Sequence, residues 1–582
     1  MGLFKYAAQL EEHGQAANGG RVLGAPLGSP EYIAAWCDNR LSKLDTQLQK
    51  VLAKPKGHAA AQFATITRSL RSQVVRTAAR FYVLEPVVAE EVVRKAECMF
   101  CVAIFRALRA REAKGWDLRL AKHTWFLGDL WVEVRLQALA GFAGFLANLT
   151  QMGDAARDLH GQIMLQSDDQ PLGRMRCRMA MLLQEMRACP GMSAVLPADV
   201  TALITRWGLR RGATQQAVEA ARQAEMRSLV THFLAVGQPG KAALAVSANC
   251  DTVKMATHDP VVMTYVADDA WRAQQIVKAG LPMPGYADIG DVECKCGQPL
   301  TQTHMLVCKQ AACPHRQQKG RRVAVMQAAA GRGESAAGAA DLRHDAVVEA
   351  VAAAVAQAIR GVVKPTTAVH TRRQGGTQVL VEQVLRSTAP TADILLRFAE
   401  GGGVAIDVAF KSVMRGDGTV ETEKFSTAGG AVARAKEREK QRKYRPLAST
   451  AFEFVPLVFE APTCRLGQAS LGALKKAMRQ EGCSEEQVAG VVRRVVAAAV
   501  ESQGNFQLGR LATHVKQAGA AADRPKRRKR QRRYRWGPPT AGRAEGGRTV
   551  HAAAGSTTGD RSDNYEPIFV RQLVAHQQQQ QR

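Results

Sequence analysis

The stretch "PTADILLRFAEGGGVAIDVAFK", residues Pro390 to Lys411, limits what this chain can fold into more than any other. Two aliphatic runs flank a triple glycine, the pattern of two strands joined by a turn. Each run carries one acid, Asp393 or Asp407, among Ile, Leu and Val. With period-two alternation, Asp393, Leu395 and Arg397 share one side of the first strand, and Ile394, Leu396 and Phe398 the other. In the second strand Asp407 shares a side with Ala405, Ala409 and Lys411, away from Val404, Ile406, Val408 and Phe410. Pairing Phe398 with Val404 sets Asp393 opposite Ala409 and Asp407 opposite Leu395. The acids are then diagonal neighbours on one face, roughly 7 Å apart at Cβ. Two carboxylates so spaced can hold one Mg²⁺ or Mn²⁺, and a one-residue slip would separate them. The plainer reading is a solvated hairpin face. Against it, the neighbours on that face are Ala405 and Ala409, not Ser, Thr or Lys.

A hydrolytic metal site on nucleic acid also needs a cation near the scissile phosphate. Lys411 ends the second strand on the acidic side, and Lys440 and Lys443 lie on the basic helix "AVARAKEREKQRKYRPLAS" that follows. The sequence alone leaves the choice open.

The surroundings of the hairpin are mixed α/β. "DLRHDAVVEAVAAAVAQAIRG" reads as one helix, with Asp341 as N-cap, Gly361 as its stop and Val347, Val348, Val351, Val355 and Ile359 as its buried stripe. Strands are expected at about 377–385, 392–398, 404–410 and 452–459. Upstream the periodicity is helical from Phe63 to about Leu149, with shorter helices to about Gly280. Cys98 and Cys101, a C-x-x-C within that pattern, read as core thiols. Asp268 and Asp269 in "TYVADDAW" read as a helix N-terminus favoured by negative charge. Residues 319–340 read as a flexible linker.

"CKCGQPLTQTHMLVC" groups Cys294, Cys296, His304 and Cys308, a set able to converge on a tetrahedral Zn²⁺. The one-residue gap in Cys-x-Cys is tighter than usual, and Cys313 and His315 could substitute. Without a spare carboxylate, such a zinc is structural. Near the other end, nine of the twelve residues from Arg524 to Arg535 are basic. Lys526, Arg527, Arg528, Lys529, Arg530, Arg532 and Arg533 can neutralise phosphates, with Tyr534 and Trp536 available for stacking. The same run serves equally well as a nuclear-localisation signal.

Charge fits this picture. Eighty Lys and Arg against 52 Asp and Glu give a net charge of +28, which favours a polyanionic partner over a membrane surface. No signal peptide or myristoylation pattern opens the chain, and no continuous apolar run long enough to span a bilayer is evident. The 12 cysteines therefore read as reduced thiols or metal ligands. The expected setting is the nucleus, with no small-molecule substrate.

The order of these pieces resembles the C-terminal part of the polyproteins of site-specific non-LTR retrotransposons, a class of transposable element. "RVLGAPLGS" (Arg21 to Ser29) is similar to the segment after the reverse-transcriptase palm, and the helices beyond it to the thumb. "CKCGQPLTQTHMLVC" is similar to the Cys-Cys-His-Cys knuckle. "LRHDAVVEAV" is similar to the Arg-His-Asn helix after it, with Asp345 in place of Asn. "PTADILL" with "VAIDVAF" is similar to the Pro-Asp…Asp core of a restriction-like endonuclease. "KQRKYRPLA" and "FVPLVFEAPTCRLG" resemble the segments closing that domain.

The resemblance implies a multidomain chain. Its parts are a thumb-like helical region (1–165), a helical linker (166–285), a zinc knuckle (286–318) and a flexible linker (319–340). An α/β restriction-endonuclease-like domain (341–515) and a disordered basic, Gln-rich tail (516–582) complete it. It implies Asp393 and Asp407 as acids holding Mg²⁺ or Mn²⁺, Lys440 or Lys443 as the lysine near Tyr444, and Arg343 and His344 as structural or DNA-contacting. The implied activity is nicking of target DNA, with DNA and the element's RNA as partners. Two features depart from the pattern: Pro390 is separated from Asp393 by two residues, and Ala409 stands where a restriction core has Lys. No palm with a polymerase Asp-Asp turn precedes "RVLGAPLGS", so polymerisation by this chain alone is not expected. The competing expectation is a non-catalytic zinc-containing nucleic-acid-binding protein, or an inactive reverse-transcriptase fragment.

Overall fold

The computed structural model describes residues 19–22, 25–53, 59–82, 86–208, 210, 212–286, 301–302, 304, 342–359, 378–383, 392–397, 403–415, 417–444 and 452–533. The chain divides into two units, residues 1–522 and 523–582. Of the second, the backbone of 523–533 is described. The first is mostly helical with one small mixed sheet.

Strands β1 (Gly19–Val22) and β2 (Ala25–Gly28) pair antiparallel, overlapping "RVLGAPLGS" from Arg21 on. The Ser29 hydroxyl accepts from the Tyr32 N–H and caps α1 (Pro30–Leu52), whose first residue, proline, has no N–H to leave unsatisfied. Next, α2 (Ala59–Ala64), a π-helical stretch over Thr65–Leu70 and α3 (Arg71–Tyr82) run on without a break. Helix α4 (Pro86–Leu108) buries Ala89, Val93, Ala96, Phe100 and Ile104 at three- and four-residue spacing. Cys98 lies off that stripe and is exposed, so the expected core role fails for it. Cys101 is mostly covered, and burial pushes its thiol up to about 11.

Helix α5 (Gly115–Thr124) leads to α6 (Leu130–Gln151), which Asp129 caps at the Trp131 N–H. By length and composition α6 could cross a membrane, the one such helix among the described residues, and half of it is buried inside the fold. Its Glu133 and Arg135 pair with Arg71 and Glu90, which suits a core helix. Helices α7 (Asp154–Leu165), α8 (Pro171–Ala188), α9 (Val200–Trp207), α10 (Ala213–Ala235) and α11 (Pro239–Ala248) follow. Then come α12 (Asp251–His258), α13 (Pro260–Thr264) and α14 (Asp268–Lys278). As expected, Asp268 and Asp269 occupy the first turn of α14, where both pair with Arg272.

Helix α15 (Leu342–Ala358) buries Val347, Val348, Val351 and Val355, with Ile359 just beyond it, the stripe read from sequence. The sheet has the order β3-β4-β5-β6-β7: β3 (Gln378–Gln383), β4 (Ala392–Arg397), β5 (Gly403–Ser412), β6 (Phe452–Ala461) and β7 (Arg465–Leu466). All neighbours are antiparallel except β5 and β6. That parallel pair needs a crossover, which α16 (Glu423–Thr427) and α17 (Ala431–Lys443) supply. Two helices complete the unit, α18 (Gln468–Gln480) and α19 (Glu485–Arg533). The tail is expected to lose structure from 516, yet α19 continues to Arg533. Its residues beyond 515 are mostly Ala, Gln, Lys and Arg, all good helix formers. Residues 534–582 lie outside the described residues.

Ile394, Leu396, Val404, Ile406, Val408, Leu457 and Phe459 join one continuous core with α15, α19 and the helical first half of the chain. The other side of the sheet is covered too: Ala409 and Val458 pack on Ala433 of α17. A polar seam ties the sheet to the helices. Buried Glu460 accepts from Ser247 Oγ at 2.6 Å and from the Ala433 N–H at 2.9 Å. Arg465 donates to the Val246 carbonyl at 3.1 Å, the Leu466 N–H to Thr252 Oγ1, and Gln274 to the Pro462 carbonyl. Within residues 1–522 the sheet and the helices before it are thus packed together.

Candidate active site

Strands β4 and β5 pair as Ile394 with Ile406, Leu396 with Val404, and Arg397 with Gly403. This is two residues away from the expected pairing of Phe398 with Val404. An even shift preserves the faces, so both acids remain on one side. The paired register ends at Ile394–Ile406, and continuing it by one step would set Asp393 level with Asp407 rather than on a diagonal. Gly403 fixes this register, because a Cβ there would lie 2.0 Å from the Leu396 carbonyl oxygen and 2.8 Å from the Phe452 ring.

Here β4 separates from β5, and the Asp393 side chain replaces the lost ladder bond: Val408 N–H donates to its Oδ2 at 2.6 Å. His344, in the first turns of α15, meets the same oxygen with Nε2 at 2.9 Å. Burial alone would lower the His344 pKa. The hydrogen bond to Asp393 and the charges of Asp393 and Asp407 outweigh it, and the net direction is up.

Asp407 is buried, its side chain 6 % exposed, so the solvated-hairpin reading does not hold. Tyr444 OH donates to its Oδ1 at 2.7 Å, and the Lys440 ammonium contacts Oδ2. Tyr444 follows α17 directly and stacks on Phe454 with ring centroids 4.2 Å apart. Burial, then the bond to Asp407, raises its phenol pKa. The structure thus brings together Asp393, Asp407, His344, Lys440 and Tyr444.

The other two lysines stand elsewhere. Lys411, 39 % exposed, is paired with Glu421 at 2.7 Å. Lys443 lies over the Tyr444 ring at 5.1 Å and does not reach Asp407 in any described contact. Arg343 is on the α15 backbone next to His344. Lys526, Arg527, Arg528, Lys529, Arg530, Arg532 and Arg533 are on the backbone of α19. Cys294, Cys296 and Cys308 lie outside the described residues. His304, their expected co-ligand, is described and buried, and its N–H donates to Thr301 Oγ1 at 3.0 Å.

By sequence Tyr444 stands out only as the neighbour of a lysine, not as a functional group. Lys440 and Tyr444 are four apart and so share one side of the turn ending α17; that spacing was the available signal.

Among the described residues no group of three or more His, Cys, Asp and Glu side chains is placed to hold a metal ion. The two aspartates nonetheless keep oxygen lone pairs that no described hydrogen bond uses. Both hydrogen bonds described for Asp393 fall on Oδ2, and Asp407 Oδ2 is buried and accepts no hydrogen bond, touched by Lys440 as a charge contact. An oxygen-seeking divalent cation fits such a donor pair.

No protein-family model matches the sequence, and no curated protein matches it either.

Proposed function

We propose that this chain is a divalent-metal-dependent DNA endonuclease of the retrotransposon restriction-like type, acting by phosphodiester hydrolysis. One observation carries the reading: a buried aspartate, Asp407, is held by Tyr444 and Lys440 opposite a second aspartate, Asp393, that is held by His344. Placing a buried acid near a partly buried one in an aliphatic sheet is unfavourable unless they are matched by cations or donors. Here Asp407 has the Lys440 ammonium and the Tyr444 hydroxyl, and Asp393 has His344 and the Val408 N–H.

Asp393 and Asp407 would hold Mg²⁺ or Mn²⁺, which when bound supplies charge neutralisation at the phosphate and a more acidic water. Lys440 presents a positive charge beside Asp407, where negative charge grows on the phosphate in the transition state. Tyr444 fixes the Asp407 carboxylate by its hydrogen bond and its stacking on Phe454. His344 orients Asp393 and adds positive charge at the mouth of the site. A basic chain of net charge +28 supports a DNA substrate, and the residues Lys526 to Arg533 add phosphate-contacting capacity along a helix. Nuclear action and a structural zinc on Cys294, Cys296, His304 and Cys308 belong to the same reading.

The direct test is nicking of supercoiled plasmid with Mg²⁺ or Mn²⁺ by the Asp393→Ala/Asp407→Ala double variant. Loss of nicking with DNA binding retained is expected. Nicking at the unchanged rate would exclude this site. Binding without cleavage by the unaltered protein, under every divalent metal, would favour a non-catalytic nucleic-acid-binding protein instead.

A further inference from the structure

A second site lies away from the aspartates, where the π-helical stretch Thr65–Leu70 joins α3. The Arg71 N–H bonds back five residues to the Ile66 carbonyl. Such a turn is unfavourable in a regular helix and is common at functional sites. A cavity of about 350 Å³ opens beside it, between α3 and α6. That is the size of a small-ligand site.

The lining is chemically mixed. Arg71 and Arg76 bring two guanidinium groups. Arg71 is spoken for: it bonds the Gly128 carbonyl at 2.6 Å and Glu133 at 3.0 Å. Arg76 is exposed, and its described hydrogen bonds go to Ser72 of its own helix, at 3.3 Å each. Arg68 and Arg80, at the spacing of the same helical face, are exposed as well, and α3 carries no acid. Glu133, neutralised by Arg71, is the only acid among the lining residues. The cavity therefore favours an anion.

On the opposite wall stand the Phe126 ring and the exposed Gln137 amide, which makes no hydrogen bond among the described residues. Phe126 is held with a positive φ of 59°, unusual for an aromatic residue, and Arg222 covers its ring at 3.7 Å. An aromatic ring with Arg222 on one face, an amide with donor and acceptor, and an exposed guanidinium whose described bonds stay within its own helix are complementary to a base and its phosphate.

We propose that this cavity binds one nucleotide, its phosphate on Arg76 and its base against Phe126 and Gln137, either as a free nucleoside 5′-phosphate or as one residue of a nucleic-acid strand. The inference stands independently of the aspartate site.

The test uses the full chain in EDTA, so that nothing is hydrolysed. One arm photo-cross-links azido-substituted nucleoside 5′-monophosphates. The other uses a tetranucleotide carrying 4-thiothymidine. Cross-linked peptides are mapped by mass spectrometry. Saturable cross-linking to residues 67–76, 126 or 137 is expected in at least one arm. Arg76→Gln should reduce it about tenfold or more, as expected for losing a charged hydrogen bond to phosphate. Lys476→Gln, at an exposed ion pair with Glu453, should leave it unchanged. The arm that responds identifies the source, free nucleotide or strand. Cross-links confined to other regions in both arms, or labelling here that Arg76→Gln/Gln137→Ala leaves unchanged, overturns the proposal.

Discussion

Lys440 and Lys411 were equal candidates by sequence, and the ion pairs separate them. Lys440 is bound to buried Asp407, whereas Lys411 is half-exposed against Glu421. Removing a preorganised charge from a site of developing negative charge typically lowers turnover by a factor of a hundred or more. Lys440→Met should therefore reduce plasmid nicking about a hundredfold, and Lys411→Met less than about threefold. Equal losses in the two variants would show that the Asp407 contact does not select the acting lysine. Tyr444→Phe tests the other support. It removes one hydrogen bond to a buried carboxylate while keeping the ring on Phe454. A stability loss of about 1–3 kcal/mol is expected from denaturant unfolding. No loss would mean that the hydroxyl is not needed to hold Asp407.

At the scale of elements, the strands, the α15 stripe and the basic crossover helix were legible, because periods of two and of three to four are local properties of sequence. The faces of the hairpin were legible for the same reason. The register was not: the pairing can shift by two residues without moving a side chain to the other face. What decided it was Gly403 packing against Leu396 and Phe452, and Phe452 comes from a strand distant in sequence. The length of α19 was also hidden, since a helix-forming composition and a disordered one overlap in Ala-, Lys- and Arg-rich chain. Close packing hides in single glycines as well. A Cβ on Gly504 of α19 would lie 2.0 Å from the Ala270 carbonyl oxygen of α14. Helix propensity alone predicts that Gly504→Ala stabilises by roughly 1 kcal/mol. The contact reverses the sign, and a lower melting temperature is expected. A higher one would show that α14 and α19 are not so closely packed.

The described residues of the first unit share one main core, and two histidines within it, His123 buried and His258 partly buried, make its stability depend on pH. Burial, opposed by a bond to the Ala245 carbonyl, takes His123 from 6.5 to about 3, and burial takes His258 to about 4. Both native pKa values lie below the unfolded one, so unfolding takes up protons. Stability is complete above about pH 6.5 and falls as pH drops toward 4, by roughly 1.4 kcal/mol per histidine per pH unit. Urea midpoints at pH 7 and pH 5 measure this, and His123→Gln should flatten the slope. A slope that the substitution leaves unchanged would assign the acid sensitivity to other groups.

The same unity bears on how the sheet can be studied. Its β6–β7 end is anchored to residues 246–274 through Glu460, Arg465, Leu466 and the Pro462 carbonyl, and one of its apolar faces shares a core with Trp271 and Ile276. In a fragment of residues 341–582, Glu460 loses Ser247 and Arg465 loses the Val246 carbonyl, while apolar surface built to meet helices is exposed to water. Each buried charge left without its partners costs several kcal/mol, comparable with the whole stability of a domain. The fragment should show no cooperative thermal transition, whereas the full chain does. In the full chain, Glu460→Ala should cost about 3 kcal/mol by removing the carboxylate that lies 4.0 Å from the Arg465 guanidinium and holds Ser247 and the Ala433 N–H. A fragment that melts cooperatively, together with an unaffected Glu460→Ala variant, would mean that the seam is not what holds the two halves together.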